Sequence, residues 1–258
     1  MRIESNLAHK AALLLFSQAI FVCAQTANSP LAEEPFDYNQ EALNGARSGS
    51  GWGGGWEVQN SSTAVPGYNI IAGHPLTGTS AAQSPGYAVG GLNWQAAGRS
   101  FDTSSSGAFG AWSGNGLIGP AGGSLYMSLL LRQDQSSTDE LSLTLHPGTA
   151  PAWLVSQPGV SVGYFGGTRY WALKLDGVVR STTVPVVTGQ AVLLVVRMDF
   201  AAATGGLSTV SLFVNPSPDT LPAKPDVAAS TTNSIRFASA AWFGGTYRLC
   251  LQSHQHRK

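Results

Sequence analysis

Charged residues and cysteines are scarce in this sequence. Of the 258 residues only 11% are charged, and 14 Lys and Arg residues balance 14 Asp and Glu residues, so the formal net charge is zero. A nucleic-acid-binding protein needs a basic surface that neutralises phosphates, and the composition therefore argues against that class. The two cysteines, Cys23 and Cys250, are too few for a disulfide-stabilised scaffold.

Helical periodicity is missing as well. No window of about a dozen residues keeps apolar side chains at helical spacing without an interrupting Gly, Pro or Ser. The 31 glycines and 14 prolines would break helices but suit tight turns. A helical bundle is therefore disfavoured, whereas a hydrophobic content of 43% is enough for a sizeable core and argues against general disorder.

The N-terminus has the pattern of a secretory signal. Arg2 and Lys10 are followed by an apolar stretch at residues 11–24 that ends in Val-Cys-Ala, a small-residue cleavage pattern. This stretch is shorter than the roughly 20 residues that a membrane helix needs. Residues 1–24 are therefore predicted to be a signal peptide, with a lipoprotein signal at Cys23 as the alternative. We expect a protein that is secreted, extracellular or at the cell surface, with the periplasm also open, and no membrane span after cleavage.

Cleavage after residue 24 would change both the charge and the cysteine count. It would leave 12 basic and 13 acidic residues, a net charge of −1, so long-range electrostatics would not steer a partner. Cys250 would be the only cysteine of the mature chain, and an internal disulfide is then excluded.

Short strands are the main local signal. Apolar and polar residues alternate at 141–145, 171–175 and 210–214, as expected for strands that are buried on one face. Longer apolar runs at 125–131 and 191–200 predict central strands that are covered on both faces. Further strands are predicted at 68–71, 87–92, 160–165 and 235–242.

Turn signals separate these strands and define the fold class. Glycine pairs recur between them, and Asp176-Gly177 is the clearest two-residue hairpin turn. Many short strands without intervening helices predict an all-β fold, a two-sheet antiparallel jelly-roll sandwich. We expect a single domain at residues 32–250, preceded by a short segment at 25–31 and followed by a polar tail at 251–258.

Several motifs in a fixed order resemble a known family. They are EPFDY at 34–38, GSGWGGGW at 49–56, SLYMSLL at 124–130, VGYFG at 162–166, LLVVRMDF at 193–200 and LFVNP at 212–216. Together they resemble the secreted bacterial LamG-like proteins of the concanavalin A-like lectin/glucanase superfamily. The resemblance covers most of the mature chain and implies a concanavalin A-like jelly roll with an extracellular role.

The catalytic pattern of the glucanase branch is not found. As the resemblance implies, such enzymes carry Glu-x-Asp-x-x-Glu or a similar segment on one strand, which aims two carboxylates at one sugar. Here the nearest pair, Asp139-Glu140, is consecutive, so its side chains would point to opposite faces of a strand. Glu33 and Glu34 are interpreted as exposed residues at the start of the domain. A serine-nucleophile elbow and a His, Cys and carboxylate cluster for a metal are also missing, so we predict no catalytic centre.

Aromatic side chains are the remaining candidates for a binding surface. Sugar rings stack on Trp and Tyr side chains in loops, and Trp94, Trp112, Trp153 and Tyr164 lie near glycine-rich segments. These four are the predicted ligand-binding residues. In contrast, Trp52 and Trp56 belong to the family motif, and we expect them to fill the sandwich.

Two further expectations concern charged residues. Arg197 and Asp199 are two apart on one strand and should pair on the same face. Related jelly rolls hold calcium with loop carboxylates, so calcium is a possible cofactor on resemblance, with Asp102, Asp134 and Asp226 in loops. No coordination set can be assigned from the sequence.

The C-terminal sequence departs from the family pattern. A returning strand with an Asp-Glu pair is expected but not found, and residues 247–251 run into a basic, His-containing tail. The sequence therefore predicts either an unpaired sheet edge that associates with a second copy or an incomplete C-terminus.

The function that these observations favour is that of a non-catalytic extracellular binding or cell-surface interaction module directed at carbohydrate. Its partner would be an extracellular glycan or a cell-envelope component. Two alternatives remain open: a structural envelope protein with a protein partner, and a glycan-active hydrolase or lyase.

Overall fold

The computed structural model describes ten stretches of the chain. They are residues 30–36, 38, 42–59, 69–72, 86–89, 96–133, 140–148, 159–217, 220–243 and 246–254, with only the backbone described at 69–72, 86–89 and 246–254. The predicted signal peptide at residues 1–24 lies outside them. Across these stretches, no helix combines the length and the hydropathy needed to cross a membrane.

The described residues form short β-strands and one 3-10 turn at Gly110–Trp112. The strands are β1 (Ala32–Glu34), β2 (Glu57–Val58), β3 (Asn69–Ala72), β4 (Gly86–Val89), β5 (Ala96–Ser100), β6 (Ser113–Gly114), β7 (Leu117–Ile118), β8 (Ser124–Arg132), β9 (Leu141–His146), β10 (Val160–Tyr164), β11 (Tyr170–Leu175), β12 (Val178–Pro185), β13 (Ala191–Asp199), β14 (Ser208–Val214), β15 (Val227–Thr231), β16 (Ser239–Phe243) and β17 (Thr246–His254).

The strands assemble into two antiparallel sheets. One follows the order β15-β14-β13-β8-β17-β4-β3, with β1 also paired to β17, and the other follows β12-β11-β10-β9-β16-β5-β2. A small separate hairpin joins β6 and β7. Every strand pair with a described register is antiparallel. The predicted all-β, two-sheet jelly-roll sandwich is confirmed.

The core lies between the two sheets and is filled by alternate side chains. On β13, Leu194, Val196 and Met198 are completely buried, and they belong to one cluster with the leucines of β9. Trp56 and Trp242 fill the same core, with ring centroids 4.2 Å apart. The prediction for the tryptophans of the 49–56 motif is confirmed, since Trp52 is also partly buried against this cluster.

The coverage of individual strands differs from the sequence pattern. β9 was expected to be half-buried, yet all six of its side chains are buried. Its polar face can be buried because hydroxyls pair across strands, as where Thr144 Oγ1 donates to Ser161 Oγ at 2.8 Å. β13 was expected to be covered on both faces, yet its outward side chains are only half-buried. The prediction was wrong for these faces because alternation reports side-chain polarity and not what covers the strand.

The C-terminal strand corrects a second expectation. β17 lies between β8 and β4 and pairs with β8 along its whole length, from Thr246 with Arg132 to His254 with Ser124. The strand includes the first four residues of the predicted polar tail. The expectation of a missing returning strand was therefore wrong, and it gives no reason to propose self-association through an unpaired edge.

The predicted hairpin turn at Asp176-Gly177 is confirmed and is open to a direct test. The φ angles are 52° and 76°, and Leu175 pairs with Val178 across the turn, as in a type I′ hairpin. We expect Gly177→Ala to lower the free energy of unfolding by about 1 kcal/mol, because an L-residue is strained at this φ angle. Urea denaturation would measure it. The control is Gly54→Ala, where a Cβ meets open space without positive φ, and an equal loss there would contradict the explanation.

Candidate functional site

An open groove lies at one end of the sandwich, where the β11–β12 turn approaches the loop between β15 and β16. We call it the end groove. Its lining consists of Leu145, Gly159, Val160, Leu175, Asp176, Thr231 and residues 233–237. It encloses about 50 Å³. That volume is comparable to one or two water molecules, so a larger ligand would lie across the mouth and insert only one group.

The floor of the end groove is apolar and fixed by the core. Leu145, Val160 and Leu175 come from three adjacent strands in register, and Phe237 adds an aromatic ring. Each of these side chains is buried in the main core cluster. The floor is therefore held mainly by the packing of the sandwich core, to which the loop contributes Phe237.

The rim of the end groove is polar and exposed. It carries the Asp176 carboxylate, the Asn233 amide, the Ser234 hydroxyl and the Arg236 guanidinium. The Arg236 Nε donates to Ser234 Oγ at 3.0 Å. The loop bearing these residues is fixed locally, because the Asn233 backbone N–H donates to Thr231 Oγ1 at 2.9 Å.

The β6–β7 hairpin supports this loop from the other side. Ile118 and Phe237 exchange two backbone hydrogen bonds, of 2.7 and 3.1 Å. At Gly119 the φ angle is 150°, and an added Cβ would lie 2.7 Å from the Ile235 carbonyl oxygen and 3.2 Å from the Arg236 Cγ. A glycine is required there for the loop and the Arg236 stem to pass so closely.

Of the four predicted aromatic residues, the structure describes Tyr164 and Trp112. Tyr164 on β10 is only 6% exposed and belongs to the core, so its ring offers no face to a sugar. Trp112 is partly buried against the core next to β6, and its carbonyl accepts the Gly119 N–H at 3.2 Å. Trp94 and Trp153 lie outside the described residues.

A buried ion pair corrects the interpretation of Glu34. This carboxylate is completely buried and lies 2.7 Å from the Arg99 Nη1. It also accepts hydrogen bonds from four other donors, which are the Phe36 N–H, the Tyr38 hydroxyl, the Ser48 hydroxyl and the Trp56 indole N–H. The expectation of an exposed residue was wrong because the partner, Arg99, is distant in the sequence.

Arg99 completes this network from β5. Its Nε donates to the Gly54 carbonyl at 2.7 Å, and the guanidinium lies 5.0 Å from the ring centroid of Trp52. Burial, more than the neighbouring carboxylate, raises the pKa of Tyr38 to about 12, so this hydroxyl keeps its proton and remains a donor. The charges of Glu34 and Arg99 are paired with each other inside the protein, so they are not available to bind a ligand. The network instead fixes β1 and the 49–56 motif to the core.

His146 at the end of β9 is buried like Glu34 and Arg99, but its ring is not hydrogen-bonded to the described residues as their side chains are. It is 6% exposed, and neither imidazole nitrogen has a hydrogen-bond partner within the part of the chain that the structure describes. Burial lowers its pKa to about 4, so the ring is neutral at pH 7. A buried polar group without a partner costs about 1–3 kcal/mol, and His146 is therefore a destabilising element of this fold.

Two of the three carboxylates considered for calcium already accept hydrogen bonds from the chain. Asp102 Oδ1 accepts from the Ser104 hydroxyl at 2.6 Å, and Asp226 Oδ2 accepts from the Val214 N–H at 2.7 Å. Asp134 lies outside the described residues, and within the described stretches no three His, Cys, Asp or Glu residues cluster in a way that could hold a metal.

The predicted pairing on β13 is present. The Arg197 Nε lies 2.9 Å from Asp199 Oδ1, and the side chains are 39% and 35% exposed. Asp199 also accepts a hydrogen bond from the Ser124 hydroxyl. The pair is a structural feature of the outward face of its sheet, as expected.

Comparison with known proteins gives structural likeness alone. No family model and no curated protein matches the sequence. The fold is similar to a GH131 beta-glucanase catalytic domain from Podospora anserina, with 14% identity, 88% of this chain and 97% of that chain covered, and a TM-score of 0.42. It is also similar to domain 4 of AbnA, a GH43 extracellular arabinanase from Geobacillus stearothermophilus in complex with arabinotriose, with 13% identity, coverage of 78% and 84%, and a TM-score of 0.41.

A third similar structure is the carbohydrate recognition domain of Emp47p. It shares 9% identity, 88% of this chain and all of that chain are covered, and the TM-score is 0.37. The three proteins include enzymes and a recognition domain. Since all three TM-scores are below 0.5, no property of this chain is inferred from them.

Proposed function

We propose that the protein is an extracellular, non-catalytic module that binds carbohydrate at the end groove. The observation that carries this proposal is the convergence of exposed carboxylate, amide, hydroxyl and guanidinium groups on one rim of the groove. A sugar carries hydroxyls around its edge, and clustered donors and acceptors of this kind can form hydrogen bonds with them. An extracellular location follows from the predicted signal peptide.

The acid content of the groove supports binding over catalysis. Glycoside hydrolysis by the usual mechanism needs two carboxyl groups about 5 to 10 Å apart. Among the residues that line the described groove, Asp176 is the only carboxylate. One carboxylate can accept hydrogen bonds from sugar hydroxyls, but it cannot serve as both the nucleophile and the acid.

Removal of a polar rim group should weaken sugar binding. A thermal-shift screen of the protein, with calcium and with a chelator, would first identify an oligosaccharide that binds. We expect Asn233→Ala and Asp176→Asn each to weaken the binding of that oligosaccharide about tenfold. The reason is that Asn233→Ala loses a hydrogen bond and Asp176→Asn replaces a charged acceptor with a weaker neutral one, each a difference of about 1–2 kcal/mol. Isothermal titration calorimetry would measure the change. Asparagine tolerates the positive φ angle of Asp176, so the turn is preserved.

The matched control is Gln190→Ala, which removes an exposed amide near the start of β13, at the other end of the sandwich. Its affinity should equal that of the unmodified protein. If the protein melts cooperatively and no polysaccharide shifts the transition, or if the rim variants bind as tightly as the control, the proposal fails.

A further inference from the structure

We propose that the end groove selects acidic sugars and that Arg236 is the residue that binds their carboxylate. This inference rests on the proposed function of the groove and concerns its ligand class. It depends on the free donors of Arg236, on the way the loop holds this side chain, and on the separation of Arg236 from Asp176.

Arg236 has unused hydrogen-bonding capacity. Its side chain is exposed, and its Nε–H donates to the neutral Ser234 hydroxyl. The ion pairs seen among the described residues join Arg99 to Glu34 and Arg197 to Asp199, and neither includes Arg236. The N–H groups of its two terminal nitrogens are therefore available. Their planar geometry matches a carboxylate bidentately, which lysine cannot do.

The surroundings of Arg236 hold it in place. Ser234 fixes the Nε end of the guanidinium, and the stem passes close to Gly119 of the hairpin segment. Phe237, the next residue, is bonded to Ile118 on both of its backbone groups. A side chain that is already ordered loses less conformational entropy when a ligand binds, so a carboxylate gains more affinity here than at a mobile surface arginine.

Asp176 restricts the kind of anion that fits. It lines the same groove as Arg236 but makes no ion pair with it. A ligand with one carboxylate for Arg236 and hydroxyls for Asp176 and Asn233 satisfies both sides of the groove. A polyanion with closely repeated charges would place a second negative group against Asp176 and would be repelled. This pattern of charge matches a uronic acid in a glycan chain and does not match an acidic peptide.

The test compares an otherwise neutral oligosaccharide that carries a single uronic acid with the same chain after that carboxyl group has been reduced to an alcohol. We expect the acidic chain to bind at least about tenfold more tightly, because a hydrogen bond between two charged groups is stronger than one to a neutral hydroxyl. Arg236→Gln should abolish this preference, and Arg236→Lys should retain only part of it. Arg47→Gln, which changes an exposed arginine outside the groove, should keep the full preference.

The outcomes separate this inference from the proposed function. If the reduced chain binds as tightly as the acidic chain, or if Arg236→Gln keeps the preference, the acidic-sugar inference is overturned while carbohydrate binding stands. If poly-glutamate binds as tightly as the uronic-acid chain, the groove recognises charge alone and the inference is also overturned. If neither chain binds and no other sugar does, the proposed function itself fails. Thermal melting of each variant confirms that it is folded.

Discussion

Replacement of Glu34 with glutamine should lower the free energy of unfolding by about 3–5 kcal/mol. The carboxylate is completely buried and accepts hydrogen bonds from five donors, one of which is the Arg99 guanidinium. Glutamine would turn an NH2 group towards some of these donors and leave the Arg99 charge uncompensated in the core. The loss should appear as a lower denaturation midpoint in guanidinium chloride, with an unchanged slope.

Two comparisons make this result specific. Glu57→Gln, on the exposed side of β2, should change the free energy of unfolding by less than about 0.5 kcal/mol. The double variant Glu34→Gln/Arg99→Met should lose clearly less than the sum of the two single variants, because it leaves no unpaired charge. A loss below about 1 kcal/mol for Glu34→Gln would show that the pair is not buried as described.

Acidification should destabilise the protein through His146. Its pKa is 6.5 in the unfolded chain and about 4 in the folded protein, because burial disfavours the charged ring. Between these values the unfolded state binds the proton first. The contribution of the neutral ring to the free energy of unfolding is therefore fully present above pH 6.5 and is lost as the pH falls towards 4. At about 1.4 kcal/mol per pKa unit, this loss amounts to about 3 kcal/mol.

The variant His146→Leu isolates this contribution from that of the carboxylates. The free energy of unfolding of both proteins would be measured in urea at pH 7 and at pH 4. Between these two pH values it should fall by about 3 kcal/mol less for the variant than for the unmodified protein. At pH 7 it should be at least as stable, because it removes two buried nitrogens without partners. Parallel pH profiles for the two proteins would contradict the burial of a neutral imidazole.

Much of the fold could be predicted because strand alternation and turn chemistry are local. The apolar run at 191–200 became β13, and Asp176-Gly177 became a hairpin turn with the expected positive φ angles. β17 was not predicted, since its sequence mixes basic and polar residues with leucines. Its position depends on backbone pairing with β8 along nine residues, which a sequence pattern does not encode.

The candidate site was harder to predict because it depends on distant residues. Glu34 looks exposed in sequence, and only its partner 65 positions away explains its burial. Asp176 was recognised as part of a turn, but nothing local indicates that the turn lies beside Asn233 and Arg236. Tyr164 shows the reverse error, since an aromatic residue near glycines can face the core as readily as a ligand.

Sugar binding at the end groove can be tested directly by mapping the binding site on the protein by NMR. The protein, labelled with nitrogen-15, would be titrated with the oligosaccharide that raises its melting temperature most. If the sugar binds at the end groove, the shifted amide signals should cluster at residues 176–177 and 231–237. Shifts that cluster on the outward face of β13 instead, or saturable binding that leaves residues 231–237 unchanged, would show that the sugar does not bind at this groove.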